Sequence, residues 1–174
     1  TFMTLLTAFE VLLARYGGQD DLIVSTPFSL RSHPDTQALL GYFVHTLPTR
    51  VRIGDATSFA ELARDVQAAV LDAFDGREIP LEAVAARALG GDGAATLRAA
   101  FALGADASTS WDVPGLRAEV HEIHTGTART ELGLMLSEGR DIIQGHLEYD
   151  ADVHDPARIE AAARHFTALL RAAA

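Results

Sequence analysis

Apolar residues recur at intervals of three and four positions along the first sixteen residues. This spacing predicts an amphipathic helix that Gly17 ends, because glycine readily adopts the left-handed conformation found at helix ends. Phe2 already belongs to the stripe and only Thr1 precedes it as a cap, so we expect a structured segment upstream of residue 1. The stripe comprises Phe2, Leu5, Leu6, Phe9, Leu12, Leu13 and Tyr16.

Two strand patterns follow this helix. The β-branched run DLIVSTPF at 21–28 predicts a buried strand that stops at Pro27 and leads into a loop. The segment TLPTRVRI at 46–53 alternates apolar and polar residues, which predicts a half-buried strand, and its Pro48 suits a sheet edge or a bulge. The polar residues assigned to the loop are Ser25, Thr26, Ser29 and Arg31.

Two helices are predicted in the middle of the chain. Ser58 and Glu61 have the spacing of a capping box ahead of an apolar stripe, and Gly76 ends this helix of about four turns. Pro80 suits the first turn of a second helix, which extends to about Leu89 before the sequence GGDGAA.

The second half of the chain predicts four strands and a closing helix. Asp155 as the N-cap and Pro156 at the first helical position begin that helix. Because strands and helices are mixed without an internal repeat, we predict an α/β fold with a mixed sheet. The apolar face of the last helix comprises Ile159, Ala163, Phe166, Leu169 and Leu170. The strand segments are 97–104, 116–123, 131–137 and 142–149.

Composition narrows the class of protein. The 174 residues are 48% hydrophobic, which is enough for the core of one domain. A net charge of −10 argues against a nucleic-acid partner, because phosphate binding needs a concentrated cationic surface. Zero cysteines exclude disulfides and thiolate chemistry, and no apolar run approaches the roughly 18 residues of a membrane span. With no signal-peptide pattern, we expect a cytoplasmic protein without a membrane partner.

Motifs for metal, nucleotide or hydrolytic chemistry are not matched. The HEIH sequence at 121–124 is one residue short of the HExxH zinc motif, and on a strand its two histidines point to opposite faces. The chain has no lysine for a Walker A loop and no GxSxG elbow around a serine. We therefore predict no bound metal and no nucleotide site.

His45 is the most ambiguous side chain, within the stretch GYFVHTLPTR at 41–50. It lies at a turn into a strand, where a buried imidazole must find hydrogen-bond partners. A catalyst, a ligand and a structural histidine all remain open, and the residues favour the structural role.

Several motifs occur in a recognisable order. The first 31 residues contain a Phe-Met-x-Leu-Leu helix, then Gly-Gln-Asp-Asp, then a strand that ends in Ser-Thr-Pro ahead of Arg31. LLGYFVHTLPTR follows at 39–50 and REIPLEAV at 77–84. Together with TGTARTELGLML, GHLEYDADVHD and RIEAAARHFTALL near the end, these motifs resemble the condensation domains of nonribosomal peptide synthetases over nearly the whole chain.

The resemblance maps family motifs onto individual residues. The family's Ile-Gly-x-Phe-Val-Asn-Thr motif matches Leu40, Gly41, Phe43, Val44, His45 and Thr46. Its Gln-Asp-x-Pro-Phe-Glu motif keeps Pro80 and Glu82, with Leu81 in place of phenylalanine. Three departures are His45 for asparagine, Ser25 for the glycine of Gly-Thr-Pro, and TLRAAFALG for a late Asn-Pro-Leu-Phe motif.

The resemblance implies a fold and the position of the reaction-centre histidine within it. It implies one lobe of the chloramphenicol-acetyltransferase-like fold, a two-layer sandwich whose two lobes form a V around a reaction tunnel. Residues 1–174 correspond to the C-terminal lobe. The His-His-x-x-x-Asp-Gly motif with the reaction-centre histidine belongs to the missing N-terminal lobe, and this sequence has no adjacent histidine pair. We therefore expect no catalytic residue in this lobe and no activity from it alone.

The resemblance also implies an activity and partners. The domain forms an amide between donor and acceptor thioesters, held on phosphopantetheine arms of peptidyl and aminoacyl carrier proteins beside an adenylation domain. No cofactor is bound directly. Candidate tunnel residues are Ser25, Thr26, Ser29, Arg31, His45, Thr46 and Arg50. For the serines and Thr26, loop capping is the alternative role, and for the arginines it is a surface salt bridge.

The departures leave a second function open. A condensation-like module that docks a carrier protein or recruits a tailoring enzyme needs no catalysis, and it tolerates altered motifs. Under either function, loss of one lobe predicts an exposed apolar face bordered by Phe43 and Leu47.

Overall fold

The computed structural model describes residues 1–31, 33–79, 81, 83, 97–105, 111–118 and 123–173. Within these ranges the elements are α1 (Phe2–Gly17), β1 (Asp21–Ser29), β2 (Val44–Arg52), α2 (Phe59–Asp75), β3 (Ala99–Ala105), β4 (Trp111–Val113), β5 (Leu116–Ala118), β6 (Leu132–Glu138), β7 (Ile143–Tyr149) and α3 (Pro156–Ala173). A short 3-10 helix, Pro34–Thr36, lies between β1 and β2.

The main sheet has five strands in the order β2-β1-β3-β6-β7. β1 pairs antiparallel with β2 and parallel with β3, while β6 pairs parallel with β3 and antiparallel with β7. β4 and β5 form a separate two-stranded hairpin. The predicted α/β class with a mixed sheet is therefore confirmed.

The three helices pack on one face of this sheet. Phe9 of α1, Val66 of α2 and Phe166 of α3 belong to one buried cluster with Val24 of β1 and Phe101 of β3. Because alternate residues of a strand point to opposite faces, the residues that share the side of Val24 face the helices. We call the other side the open face. The result is the predicted two-layer arrangement of helices on a sheet.

β1 continues to Ser29 and does not stop at Pro27 as predicted. The missing N–H of the proline removes no hydrogen bond between neighbouring strands. Leu30 N–H donates to the Phe43 carbonyl, and Ile53 N–H donates to the Asp20 carbonyl, both at 2.7 Å. In the alternating antiparallel ladder, even positions of β1 therefore bond to β2 and odd positions face β3. Pairing with β3 covers only positions 24 and 25, so the nitrogen of Pro27 faces an unpaired stretch. Strand β1 thus includes Ser25, Thr26 and Ser29, and their predicted place in a loop is wrong.

The same alternation explains why β2 accommodates Pro48. This residue pairs with Ser25 at a position whose backbone N and C=O face away from β1, so no bond between the two strands needs its N–H. β2 is an edge strand, so the prediction of an edge position is confirmed. β2 begins at Val44, two residues earlier than predicted, because the ladder with β1 continues to Ser29.

The helix ends largely follow the sequence signals. Ser58 and Glu61 form both bonds of the predicted capping box, and Asp155 Oδ1 accepts the backbone N–H of Ala157 at 2.9 Å. Gly18, and not Gly17, ends α1 with φ +62°. On α3, Ala162 is buried and Ala163 is exposed, because the buried positions Ile159, Ala162 and Phe166 are spaced by three and then four residues.

Two predicted segments differ from the structure or extend beyond its described part. The strand predicted at 116–123 coincides only with β5, the second strand of the β4–β5 hairpin, and residues 119–122 lie outside the described residues. The helix predicted from Pro80 to Leu89 lies outside them too, apart from Leu81 and Ala83.

Candidate functional site

The β1–β2 register divides the predicted site residues between the two faces of the sheet. Ser25 pairs with Pro48, Pro27 with Thr46 and Ile23 with Arg50, all on the open face. Thr26 pairs with Leu47, and Phe28 pairs with His45, on the face that the helices cover. The predicted set is therefore not a single cluster.

Two small hydroxyl side chains come together on the open face. Ser29 pairs with Val44, so Thr46 is its diagonal neighbour two positions further along β2. Both side chains are exposed. Ser29 Oγ accepts the backbone N–H of Arg31 at 3.3 Å, which leaves its hydroxyl proton available to another acceptor.

Ser25 has a structural bond on the same face. Its Oγ donates to the Ala99 carbonyl at 3.0 Å, and only 4% of the residue is exposed. Because Ala99 lies 74 positions away on β3, this bond joins β1 to β3 near the end of their short pairing. Its hydroxyl proton is therefore already committed to the sheet.

Thr26 and His45 lie on the helix side. Thr26 is 1% exposed, and its Oγ1 finds no hydrogen-bond partner among the described residues. The half-buried His45 places Nδ1 3.0 Å from the Arg77 carbonyl oxygen. A carbonyl can only accept, so Nδ1 carries the proton, and the histidine joins β2 to the turn after α2. Both side chains therefore lie on the side of the sheet opposite to Ser29 and Thr46.

Arg31 contacts its own loop, and among the described residues it does not form the surface salt bridge that was its alternative role. Its Nη1 donates to the Thr36 carbonyl, its Nη2 donates to the Gly41 carbonyl at 3.3 Å, and its guanidinium lies 4.1 Å from the centre of the Phe43 ring. Leu47, predicted with Phe43 to border an exposed apolar face, is instead 3% exposed and buried. The exposed apolar residues of this loop are Leu39, Leu40 and Tyr42.

Arg50 lies at the opposite end of β2 and forms the surface salt bridge that was its alternative role. Its Nε and Nη2 donate to the two carboxylate oxygens of Asp21 at 2.8 and 2.7 Å. Arg52 Nε donates to the same carboxylate at 3.0 Å. These two arginines, Arg50 most strongly, hold the pKa of Asp21 well below its usual range.

Glu10 is an unusual group that the sequence analysis missed. It lies on α1 with 1% exposure, and neither carboxylate oxygen has a hydrogen-bond partner among the described residues. Burial without a compensating partner raises the pKa of Glu10 to about 8. The signal was a single acidic residue inside the apolar run LLTAFEVLL.

Two open clefts lie beside the N-terminal end of β1, away from Ser29 and Thr46. One of about 660 Å³ separates the end of α1 from Gly54 and Phe59, and one of about 550 Å³ lies between α1, Arg98 and α3. In the described ranges, no group of three or more histidine, aspartate or glutamate side chains is arranged to hold a metal ion. Nor does that part of the chain contain a helix both long and apolar enough to cross a membrane.

Comparison with known proteins identifies relatives along the whole chain. The condensation-domain family profile matches residues 1–174. A probable nonribosomal peptide synthetase of Salinispora arenicola is 33% identical over 175 residues, and tyrocidine synthase 3 of Brevibacillus parabrevis is 31% identical over 173. Each alignment covers 98% of this chain but only 2% and 3% of those long proteins. The phosphinothricin tripeptide synthetase PhsC of Streptomyces viridochromogenes is 31% identical, over 99% of this chain and 16% of its own length.

Solved structures have the same fold. The starter condensation domain of the rhizomide synthetase RzmA superposes with a TM-score of 0.77 at 16% identity, covering 98% of this chain and 40% of that one. The X-domain from teicoplanin biosynthesis superposes with a TM-score of 0.81 at 24% identity, covering 98% and 41%. Residues 1–174 therefore belong to the condensation-domain family, and their relatives are nonribosomal peptide synthetases.

Proposed function

We propose that this chain is part of a condensation domain in which the amine of an acceptor aminoacyl thioester attacks the carbonyl of a donor thioester. A C–N amide bond forms, the donor C–S bond breaks, the donor carrier's thiol leaves, and the proton of the amine is released. The observation that carries the proposal is the family match over all 174 residues. The substrates are tethered through phosphopantetheine arms to peptidyl and aminoacyl carrier proteins, and an adenylation domain is a further partner. Holding two tethered reactants together makes their encounter effectively intramolecular, which removes much of the entropic barrier to aminolysis.

Within that domain, we assign this chain to the C-terminal lobe. Two observations support the assignment: the sequence contains no adjacent histidine pair, and the chain covers 40% of the RzmA condensation-domain chain. The reaction-centre histidine then belongs to the N-terminal lobe. The 174 residues alone have no catalytic residue and form no amide.

The proposed tunnel wall is the end of the open face where Ser29 and Thr46 are exposed neighbours. Their hydroxyls offer hydrogen bonds to the amide groups of a phosphopantetheine arm or to a thioester carbonyl. His45 and Thr26 lie behind this wall and support it from the helix side. Ser25 joins two of its strands, and Arg50 extends the open face to a salt bridge at the far end.

The test uses the full-length synthetase that contains this chain. Its donor and acceptor carrier domains are loaded with the amino acids that its own adenylation domains activate, and intact-mass analysis follows the transfer. We expect a condensed product on the acceptor carrier from the full protein and none from the isolated chain. A product from the isolated chain contradicts the lobe assignment, whereas no product from the full protein contradicts the condensation activity.

A second candidate is a docking module without catalysis. It is favoured by the altered motif: His45 replaces the family's motif asparagine, and its Nδ1 donates to a backbone carbonyl on the helix side, away from the open face. In addition, the teicoplanin X-domain in complex with OxyB has this fold with a TM-score of 0.79. A full-length protein that binds a loaded carrier protein but never transfers its acyl group favours this candidate.

A further inference from the structure

Arg31 forms the central contacts of the loop between β1 and β2, which we call the clamp loop (residues 33–43). The guanidinium donates to the carbonyls of Thr36 and Gly41, five and ten positions along the chain. It also stacks on Phe43, the residue before β2. These contacts hold both sides of the loop on one planar group.

Other contacts of the clamp loop agree with this arrangement. Gln37 Nε2 donates back to the Arg31 carbonyl at 3.1 Å. A Cβ atom at Gly41 would lie 3.0 Å from the Phe43 ring, so this position leaves little room for a side chain beside the stacked ring. The loop also contains a short turn in which Thr36 N–H donates to the His33 carbonyl and Gln37 N–H to the Pro34 carbonyl.

The clamp loop has no core of its own. Leu40 is 102% exposed, Tyr42 is 85% exposed and Leu39 is 52% exposed. Burial of these side chains therefore contributes little to ordering the loop, and the polar clamp supplies the order. Lysine would not replace Arg31, because a single ammonium offers neither a planar fork for two carbonyls nor a stacking face.

We propose that Arg31 is a positioning residue for condensation, which holds the clamp loop at the end of the sheet where Ser29 and Thr46 lie. Its effect on turnover rests on the proposed function. Its effect on the loop does not, so the two are measured separately.

The loop is tested in the full-length synthetase by hydrogen exchange of wild type, Arg31→Met and Arg31→Lys. Loss of two charge-assisted hydrogen bonds in Arg31→Met speeds exchange of the Thr36, Gln37 and Leu39 amides by about tenfold or more. Amides at the paired positions Val24 and Thr49 remain unchanged. Arg31→Lys restores only part of the protection.

The matched control is Arg64→Met, which removes an exposed arginine from α2 and leaves the clamp loop intact.

In the full-length synthetase, Arg31→Met lowers the kcat of carrier-to-carrier condensation by about tenfold or more, because a displaced loop misaligns the reactants. Arg31→Lys recovers part of this loss, and Arg64→Met has no effect.

Each contrary outcome overturns a different step. Unchanged exchange at Thr36, Gln37 and Leu39 in Arg31→Met shows that Arg31 does not order the clamp loop. Equally faster exchange at Val24 and Thr49 shows that Arg31 stabilises the whole chain and not the loop in particular. Faster loop exchange with unchanged kcat rules out the positioning role. If the wild-type synthetase forms no product, the proposed function fails and the role in turnover fails with it, while the exchange data still decide the clamp.

Discussion

His45 Nδ1 lies 3.0 Å from the carbonyl oxygen of Arg77, a residue 32 positions later in the chain. Arg77 in turn stacks its guanidinium 4.3 Å from the Phe74 ring centre and donates Nη1 to the Phe74 carbonyl at 3.0 Å. The turn after α2 is therefore attached to β2 on one side and to its own helix on the other. This bond connects two segments that carry family motifs, 39–50 and 77–84.

His45→Ala is expected to destabilise the chain by about 1 to 2 kcal/mol, because it removes the donor and leaves the Arg77 carbonyl without its partner. His45→Asn is expected to lose less, because an amide NH₂ is able to donate to the same oxygen. Urea unfolding measures the difference. The control is His146→Ala at an exposed position of β7, and equal stability of all three variants and wild type contradicts the structural role of His45.

Glu10 is expected to make stability fall as pH rises. Its folded-state pKa of about 8 exceeds the ordinary glutamate value of 4.5, so the folded state binds the proton more tightly than the unfolded state. The stabilisation is fully present below about pH 4.5 and is lost as pH rises through 8. The change amounts to roughly 3 to 5 kcal/mol, at about 1.4 kcal/mol per unit of pKa shift.

Glu10→Gln isolates this contribution, because glutamine has nearly the same shape and does not titrate. We expect the variant to be more stable than wild type at pH 9, with the difference declining toward pH 5. The measurement is the free energy of unfolding by urea at a series of pH values. Parallel pH profiles for the two proteins contradict an uncompensated carboxyl group at this position.

Asp21 is expected to have the opposite pH dependence. Hydrogen bonds from Arg50 and then Arg52 lower its pKa, so its stabilising contribution is present at neutral pH and is lost as pH falls below the usual aspartate range. Because both arginines are exposed, Asp21→Asn lowers the melting temperature only slightly, and high salt removes the difference. A large loss that persists in high salt contradicts a surface ion pair.

Thr26 and Ser25 provide a paired test of neighbouring hydroxyls. Thr26→Val is expected to stabilise the chain by about 1 kcal/mol, because valine keeps the shape and removes a buried hydroxyl without a partner in the described part of the chain. Ser25→Ala is expected to destabilise it by about 1 kcal/mol through loss of the bond to the Ala99 carbonyl. Chemical denaturation of both variants distinguishes them, and shifts of the same sign contradict these assignments.

Local signals in the sequence determined most of the described elements and the α/β class. The spacing of Ser58 and Glu61 is sufficient for a capping box, and the stripe from Phe2 to Tyr16 is sufficient to predict α1, because helix geometry depends on residues three or four positions apart. Ordered motifs identified the family from the same linear information. These features need no knowledge of distant partners.

Tertiary structure alone decided which side chains share a surface. The run DLIVSTPF buries Val24, Ser25 and Thr26 on both faces of β1, so it has no alternation from which to read the direction of each residue. The register between β1 and β2 places Ser25 on the same face as Thr46, and Thr26 on the same face as Leu47. The bond from Ser25 to Ala99 depends on a strand that lies 74 positions further along the chain. The carbonyl partners of Arg31 and His45 belong to backbone, which every residue carries, so no pattern of side chains identifies them in advance.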